Sequence, residues 1–303
     1  MIDKNTKIGV VILNYKTYRD TVTCVESILS RSDGLNLEIL VVDNCSPNES
    51  FEFISDEIAN KRYENVSIVK TERNGGYSYG NNYGLSEMQR RNIDYCIVTN
   101  NDVIFHKDSV EKMIEPLTTD EKRALVVPKV LDANGEVTSL PTIKRRSVLK
   151  WVVGGSDKKI IYCGNEPSNV YSFSGCCFSC NVKLMDRIGM FDDNVFLYCE
   201  EAILAKKIAD AGYTVYFDPA SVVTHYHGVT TGKESAFVDA EYGKSLLYYL
   251  HRYENVKFRL RAVRNLLIVR MRLKAALSKY SDKQKLTEYI KQIKLRYKQI
   301  KKS

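Results

Sequence analysis

The amino-acid sequence predicts an α/β fold built on a mostly parallel sheet and followed by a helical tail. Three observations predict it: strands alternate with helices over the first 130 residues, polar residues follow the strand ends, and basic residues concentrate after residue 256. Alternation at this spacing is typical of βαβ units, whose parallel strands are covered by helices. Ligands of such sheets bind at the carboxyl ends of the strands.

Local patterns place the elements of this sheet one after another. Apolar runs rich in β-branched residues predict strands, and apolar residues spaced three or four apart predict helices. The strands predicted in this way are 8–13, 38–42, 66–69, 95–98, 125–127 and 214–217. The predicted helices are 18–30, 49–59, 79–90, 107–117 and a helical tail from residue 240 onwards. Residues 131–169 show neither pattern and are interpreted as an irregular loop.

Charge is distributed unevenly along the 303 residues, whose net charge is +8. Residues 257–303 contain 16 Lys/Arg against two acids, a balance of +14. Residues 1–256 contain 29 Lys/Arg against 35 acids, a balance of −6. The basic character therefore belongs to the tail, and such a tail attracts phosphate-rich surfaces, either nucleic acid or anionic lipid headgroups.

Composition also narrows the class of protein. No run of about 18 uncharged apolar residues occurs, so we expect no transmembrane helix, and no secretory signal pattern is present. Eight cysteines without such a signal fit a reducing cytosol, which predicts an intracellular enzyme with free thiols. The cysteines at 176, 177 and 180 lack a second pair at zinc-site spacing and are interpreted as buried thiols.

The first polar positions lie at the ends of the first two predicted strands. Asp43 follows the run 38–42, and Asn14 and Tyr15 follow the run 8–13. A carboxylate at such a strand end can accept hydrogen bonds from a ribose or from the imide N–H of a base. A turn or helix-capping role explains Asp43 equally well, and Tyr15 can either stack on a base or lie half-buried.

A glycine-rich segment, 73–82, follows the third predicted strand. Gly75 and Gly76 let the backbone approach an anion closely, while Asn81 and Asn82 near a helix start offer amide donors. The segment matches neither the Walker P-loop nor the Gly-x-Gly-x-x-Gly fingerprint. It is interpreted either as a loop beside a nucleotide diphosphate or as a plain turn.

Two further segments carry groups that bind divalent cations. Asn100 and Asp102 directly follow the fourth predicted strand, and hard cations take carboxylate and carbonyl oxygens together with phosphates. His225 and His227 are two residues apart, so both point to one face of an extended segment, and imidazole suits Mn²⁺. The alternatives are ordinary turn residues and a solvent-facing histidine pair.

Glu200 and Glu201 open a predicted helix that ends near Gly212. Acids at a helix N-terminus are favoured by the helix dipole, which is one explanation of their presence. The functional alternative is a general base that removes a proton from an acceptor hydroxyl. A glutamate with a raised pKa can do this near neutral pH.

In order and spacing these segments resemble family-2 inverting glycosyltransferases with the Rossmann-like GT-A fold, particularly the bacterial rhamnosyltransferase-like branch. The resemblance covers about residues 7–232. The motifs that carry it are 10–15, 41–46, 74–76 with 81–82, 100–102, 173–177, 198–201 and 225–227. It implies a catalytic domain at 1–235, with a nucleotide-binding half up to about 130 and an acceptor half after it, and a basic helical extension at 236–303.

The resemblance implies a role for each matching residue. Donor binding is implied for Asn14, Tyr15, Asp43, Asn74, Gly75, Gly76, Asn82, Asn100 and Gly175, metal binding for Asp102, His225 and His227, and catalysis for Glu201 or Glu200. Asn100 stands where the family has the first acid of its metal motif, which removes one charge from the site. Glu201 stands where the family has an aspartate, so Glu200 remains open as the base.

The function implied is transfer of a sugar, with inversion, to a glycan or a lipid-linked saccharide in bacterial cell-surface polysaccharide synthesis. The implied donor is dTDP-rhamnose or a UDP-hexose, and the implied cofactor is Mg²⁺ or Mn²⁺. In the tail, Leu266, Leu267, Ile268 and Met271 lie among arginines, as is typical of an interfacial helix. This predicts peripheral contact with the inner face of the cell membrane, the alternative being a tail packed on the body.

Two other classes of protein remain to be compared with this one. A nucleic-acid-binding protein can use the basic tail but does not need the acidic body, so we expect no nucleic acid as partner. A nucleotidyltransferase that makes nucleotide sugars needs a basic glycine-rich loop near its N-terminus, and residues 9–18 do not provide one.

Overall fold

The structure is a computed structural model that describes residues 2–3, 5–144, 164–226, 235–257, 259–277 and 279–302. The predicted metal ligand His227 lies outside the described residues. So does 145–163, about half of the loop predicted at 131–169.

The described part contains ten strands and nine α-helices. The strands are β1 (Lys7–Asn14), β2 (Asn36–Asp43), β3 (Val66–Lys70), β4 (Tyr95–Asn100), β5 (Val103–Phe105), β6 (Arg123–Leu131), β7 (Val137–Ser139), β8 (Ser168–Val170), β9 (Cys177–Asn181) and β10 (Thr214–His225). The helices are α1 (Tyr18–Leu29), α2 (Ser50–Lys61), α3 (Gly76–Arg90), α4 (Ser109–Thr119), α5 (Val182–Arg187), α6 (Glu200–Asp210), α7 (Ala236–Arg252), α8 (Leu260–Ala276) and α9 (Leu286–Ile300). A short 3-10 helix, Lys283–Lys285, precedes α9.

The strands form one sheet in the order β3-β2-β1-β4-β9-β6-β10-β5, with β7 paired to β6 and β8 paired to β10. Strands β1, β2, β3 and β4 pair in parallel, as do β6 and β10. Because β9 is antiparallel to both β4 and β6, these six strands all run in one direction. The predicted mostly parallel α/β sheet is confirmed. Helices cover its central strands, and β1 is accordingly buried from Ile8 to Ile12.

Helix α3 lies so close to the sheet that only glycine fits at two contact positions. A Cβ added at Gly80 would lie 2.3 Å from Leu13 Cδ1, and one added at Gly84 would lie 2.4 Å from Val11 Cγ1. The same Cβ at Gly80 would lie 3.3 Å from Cγ of Asn44, which directly follows β2. The first turns of α3 are therefore held against the carboxyl ends of β1 and β2.

Three predicted elements differ from the structure. Helix α3 begins at Gly76 rather than at 79, because the side-chain oxygen of Asn74 accepts a hydrogen bond from Gly76 N at 3.0 Å and supports the first turn. Strand β10 continues beyond the predicted end at 217 as far as His225, because the chain pairs again with β6 after a shift of register. The loop predicted to be irregular contains β7 and β8, which extend the pairing of β6 and β10.

The C-terminal helices α7, α8 and α9 pack on the body. They share a buried apolar cluster with the segment around the start of α6, which contributes Val195, Cys199 and Ile203. Helix α7 begins four residues before the predicted start, and a carboxylate oxygen of Asp282 accepts a hydrogen bond from Ala236 N at 2.6 Å. Packing of the tail on the body is therefore confirmed for its inner face. The domain boundary predicted between 235 and 236 remains a prediction.

Two further expectations concern membranes and thiols. No helix within the described ranges combines the length and the apolarity that crossing a bilayer requires. The seven described cysteines are free, and the predicted burial of Cys176, Cys177 and Cys180 is confirmed. Cys163 lies outside the described residues.

Candidate functional site

A cavity of about 580 Å³ lies at the carboxyl ends of the central strands. Five residues predicted for the site line it: Asn100, Gly175, Glu200, Glu201 and His225. They come from the end of β4, the loop before β9, the start of α6 and the end of β10. Chain segments that are up to 125 residues apart thus meet in one pocket, as the strand-end rule for parallel sheets requires.

Asp102 and His225 form a pair beside this cavity, with His225 Nε2 3.0 Å from Asp102 Oδ1. The antiparallel pairing of β5 with β10 fixes the pair, because it places His225 opposite Val103 and lets Tyr226 N donate to the Asp102 carbonyl at 2.9 Å. Burial alone lowers the pKa of His225, but hydrogen bonds to Asp102 and Cys176 outweigh burial and raise it to about 10.

The chemistry of this pair fits a divalent cation. A carboxylate oxygen and an imidazole nitrogen converge, and both are accepted ligands of Mn²⁺ once His225 has released the proton that Asp102 stabilises. Within the described residues, no group of three or more His, Cys, Asp and Glu side chains converges. A cation held here therefore needs further oxygen ligands, which a bound diphosphate supplies. The predicted third ligand, His227, lies outside the described residues.

The acid pair opens α6 after a strained turn. Tyr198 and Cys199 have φ of 71° and 68°, so two consecutive residues other than glycine adopt the left-handed conformation. Such residues cost of order 1–3 kcal/mol each and cluster at functional sites. Here the turn directs Glu200 and Glu201 into the cavity.

Both glutamates are held in a state that favours protonation. Burial, and then the charge of Glu201, raise the pKa of Glu200 to about 8. Burial also raises the pKa of Glu201 above its usual value, although the hydrogen bond from Gly175 N to Glu201 Oε1, at 3.2 Å, opposes that rise. The two carboxyls titrate as a pair, so proton affinity is a property of both.

Gly175 is the contact point between Glu201 and the rest of the pocket. Its N–H donates to Glu201, and its carbonyl accepts a hydrogen bond from the Tyr77 hydroxyl at 2.6 Å. A Cβ at Gly175 would lie 2.6 Å from Glu201 Oε1, so any larger residue displaces the carboxylate. Burial first, and the charge of Glu201 second, raise the pKa of Tyr77 well above its usual value, which keeps it a neutral donor.

The glycine-rich loop rests on the chain that leads to the acid pair. Tyr77 N donates to the Phe196 carbonyl at 3.1 Å, and a Cβ at Gly76 would lie 2.0 Å from that oxygen. Gly76 also has φ of +86°, which favours glycine. The side-chain oxygen of Asn74 accepts hydrogen bonds from Gly76 N and Asn44 Nδ2. Predicted donor contacts of Asn74, Gly75 and Gly76 remain predictions.

The ends of β1, β2 and β4 are joined by a buried hydrogen-bond network. Asn14 Nδ2 donates to Asp43 Oδ2 at 2.6 Å, and Ser46 N donates to Asp43 Oδ1 at 2.8 Å. Asn101 Nδ2 donates to Asn14 Oδ1 at 3.2 Å. Asn14 and Asp43 are both fully buried, so contact with a base or ribose requires these bonds to rearrange, and that role stays a prediction. Asn101 belongs to the predicted motif 100–102, but no role was predicted for it, and the structure shows that it joins β4 to β1.

Two other predicted donor ligands have different surroundings. Tyr15 is 39% exposed, and Lys16 Nζ lies 4.8 Å from its ring centre. Asn82 joins α3 to the turn at 191–193: its Nδ2 donates to Asp193 Oδ1 at 2.6 Å, and its oxygen accepts from Phe191 N at 3.0 Å. Asn82 thus has a structural role, and its contact with the donor remains a prediction.

The C-terminal extension supplies part of the cavity wall. Tyr242 and Tyr249 on α7 line it, and the Tyr242 ring lies 6.2 Å from that of Tyr198. Ser245 Oγ donates to the Leu197 carbonyl at 2.7 Å and anchors α7 to the turn before the acid pair. Sequence reasoning missed these residues, although a seven-residue spacing that places Tyr242 and Tyr249 on one helix face was available as a signal.

The family follows from comparison with known proteins. The model of glycosyl transferase family 2 matches residues 9–189. The chain belongs to this family. It is a glycosyltransferase that uses a nucleotide-sugar donor, as the sequence predicts. Over 246 residues it is 24% identical to the N-acetylglucosaminyl-diphospho-decaprenol L-rhamnosyltransferase of two strains of Mycobacterium tuberculosis, covering 73% of this chain and 77% of that protein.

Solved structures with the GT-A fold resemble most of this glycosyltransferase. GalNAc-T7 with UDP, GalNAc and Mn²⁺ has a TM-score of 0.63 at 17% identity; the match covers 83% of this chain and half of that protein's length. The mannosyltransferase PcManGT of Pyrobaculum calidifontis, with GDP-Man and Mn²⁺, has a TM-score of 0.55 at 14% identity and covers 97% and 88% of the two chains. TarS of S. aureus, residues 1–349, has a TM-score of 0.53 at 14% identity, and the match covers 87% of this chain and 70% of that one.

Proposed function

We propose that this glycosyltransferase is metal-dependent and inverting, and that it transfers a sugar to a hydroxyl of a glycan or lipid-linked saccharide. The observation that supports the proposal is the composition of one cavity: a buried acid pair and Asn100 line it, and the Asp102–His225 pair borders it. Donor activation and proton removal require these two kinds of group within reach of one substrate.

Proton removal is assigned to Glu201, with Glu200 as the alternative. A carboxylate in the cavity accepts the proton of the acceptor hydroxyl while that oxygen attacks the anomeric carbon on the face opposite the diphosphate. The raised pKa of the pair brings its proton affinity closer to neutral pH, where a general base is most effective. Attack on the opposite face inverts the anomeric configuration.

Asp102 and His225 are the residues that would hold a divalent cation, which when bound neutralises charge on the diphosphate. Mn²⁺ is present in the structures of GalNAc-T7 and PcManGT, two proteins of similar fold. Orientation of the donor sugar falls to the loop around Gly175, which contacts Glu201 directly, and to Asn100, which lines the same cavity.

The name of the mycobacterial relative indicates a rhamnose donor and an acceptor in which a diphosphate joins a sugar to a polyprenol. We therefore propose dTDP-rhamnose as the first donor, a UDP-hexose as the second, and a lipid-linked saccharide as the acceptor. An acceptor of this kind places the enzyme at the inner face of the cytoplasmic membrane, in the assembly of a cell-surface polysaccharide.

A thermal-shift panel of nucleotide sugars, with and without Mn²⁺, tests the donor and the metal together. We expect one donor to raise the melting temperature, and this shift to depend on Mn²⁺. In Asp102→Ala the apparent affinity for that donor should fall at least tenfold, which corresponds to about 1.4 kcal/mol. Transfer is then followed with that donor, and the anomeric configuration of the product is read by NMR.

The nucleotidyltransferase is the competing assignment. Release of pyrophosphate from a nucleoside triphosphate and a sugar phosphate, without transfer from any nucleotide sugar, would replace the proposed reaction. A product that retains the anomeric configuration would keep the assignment as a glycosyltransferase but would exclude the proposed inverting, single-displacement mechanism.

A further inference from the structure

Helix α8 has an apolar outer face that the packing of the C-terminal helices leaves uncovered. Its inner face is buried through Val263, Leu267, Ile268, Met271 and Ala275. On the outer face four apolar side chains are 45–70% exposed: Leu266, Val269, Leu273 and Leu277. The stripe predicted from the sequence is wrong in three of its four members, Leu267, Ile268 and Met271, which belong to the core.

The four exposed side chains form one continuous stripe. Their spacings of three, four and four residues place them on one side of the helix. The stripe borders a shallow depression of about 340 Å³, together with Arg270, Lys274 and Lys279. An apolar stripe of this length on an otherwise well packed extension marks an interaction surface. We call these four side chains the α8 stripe.

Charge around the α8 stripe selects an anionic partner. Residues 255–281 contain eight Lys/Arg and no Asp or Glu. Helical geometry puts the exposed Arg270 on one side of the stripe and the exposed Arg261 and Arg272 on the other. A second copy of this chain would bring the same arginines face to face, which opposes self-association.

We propose that the α8 stripe docks the protein on an anionic lipid bilayer. The leucines and the valine enter the boundary between headgroups and acyl chains, and the flanking arginines contact lipid phosphates, as in other interfacial helices. This inference deepens the proposed function, on which it rests only for the lipid-linked acceptor.

Contacts inside the extension connect the docked helix to the cavity. Lys274 Nζ lies 2.9 Å from Asp239 Oδ2, and the Tyr280 hydroxyl donates to the same oxygen at 2.5 Å. Asp239 is in the first turn of α7, the helix whose Tyr242 lines the cavity one turn further on. Docking through α8 therefore holds the acceptor side of the cavity near the bilayer surface.

Co-sedimentation of the full chain with vesicles tests the docking. Vesicles of phosphatidylcholine alone are compared with vesicles containing about one third phosphatidylglycerol, at about 0.1 M and about 0.5 M salt. We expect binding to the anionic vesicles that weakens with salt, and little binding to phosphatidylcholine. Leu273→Glu, the stripe variant, is expected to weaken binding to the anionic vesicles at least tenfold.

Leu295→Glu is the matched control. Leu295 is 57% exposed, against 60% for Leu273. It lies on α9, which packs on α7 as α8 does, and it is not part of the α8 stripe. This variant should bind vesicles like the unchanged protein. All variants should keep the thermal melting temperature, because the substituted side chains are exposed.

Two outcomes overturn the inference. Equal loss of vesicle binding in Leu295→Glu and in the stripe variant means that overall charge, not the stripe, holds the protein. The second outcome is a protein that does not bind anionic vesicles but forms dimers, and whose dimers the stripe variant abolishes. The face would then be a contact between copies of the chain. Vesicle binding without any sugar transfer leaves the docking intact and contradicts the proposed reaction instead.

Discussion

The strand side and the helix side of the cavity differ in how their buried polar groups are held. On the strand side, Asn100 lines the cavity, and Asn14, Asp43 and Asn101 beneath the strand ends hydrogen-bond one another. We call this network of β1, β2 and β4 the floor, although its own side chains do not line the cavity. On the helix side, burial outweighs the hydrogen bonds that Glu200 and Glu201 accept and raises the pKa of both, and the pair follows a strained turn. Polar groups that hydrogen-bond one another position a ligand, whereas buried acids with a raised pKa are ready to exchange a proton.

The difference extends to what holds each side in place. The floor is held by hydrogen bonds between residues at the ends of neighbouring strands, whereas the acid pair is held by a loop and by helix α7. Gly175 contacts Glu201 directly, and Ser245 of α7 anchors the preceding turn. Changes on the helix side should therefore reduce the rate of transfer, and changes in the floor should reduce donor affinity.

The largest expected effect tests this division at the acid pair. Glu201→Gln keeps the size of the side chain and removes the base, so we expect transfer to fall by roughly 10²–10⁴-fold while donor affinity stays within about twofold. Initial rates and donor thermal shifts measure the two quantities. Glu200→Gln is the control, and a larger loss of transfer in that variant would move the base to Glu200.

A second substitution moves the same carboxylate without removing it. Gly175→Ala places a Cβ at a point 2.6 Å from Glu201 Oε1, so the carboxylate must shift, and a displacement near 1 Å costs roughly 10²-fold in rate. We expect kcat to fall while donor affinity is kept. Gly164→Ala is the control, because nothing lies within 4 Å of its added Cβ. Unchanged kcat in Gly175→Ala would show that Glu201 tolerates displacement.

The strand side of this comparison was more predictable from sequence than the helix side. The parallel strands and the polar residues that follow them are local patterns, and they placed Asp43, Asn100 and Asp102 at one edge of the sheet. The pairing of β9 between β4 and β6 was not predictable, because it joins segments that are far apart in the chain and no periodicity records the partner.

On the helix side, sequence reasoning found the acids but not their supports. Glu200, Glu201 and Gly175 were found through motifs at familiar spacing. Tyr242 and Ser245 were not, because their role depends on how α7 docks against the turn before α6. Docking of one helix on another is decided by tertiary packing, which an amphipathic pattern permits but does not specify.

A third prediction concerns the wall that the extension adds to the helix side. Tyr242→Ala removes a ring that faces Tyr198 across the acceptor side of the cavity, so we expect the KM for the acceptor to rise roughly tenfold, about 1.4 kcal/mol. Donor binding should not change, and Tyr242→Phe should retain most of the affinity. An unchanged acceptor KM in the alanine variant would exclude α7 from acceptor binding.

The smallest expected effect is on stability and follows from the raised pKa of Glu200, about 8 against 4.5 for an ordinary glutamate. Between these values the folded state keeps a proton that the unfolded state has lost, so the free energy of unfolding falls as pH rises. The loss from pH 6 to pH 8 should be on the order of 1–2 kcal/mol. Glu200→Gln should show a flatter dependence of melting temperature on pH, whereas exposed Glu121→Gln should follow the unchanged protein. Parallel pH curves for Glu200→Gln and the unchanged protein would mean that Glu200 is ionised in the folded state. The contrast between the hydrogen-bonded floor and an acid pair that favours protonation would then be lost.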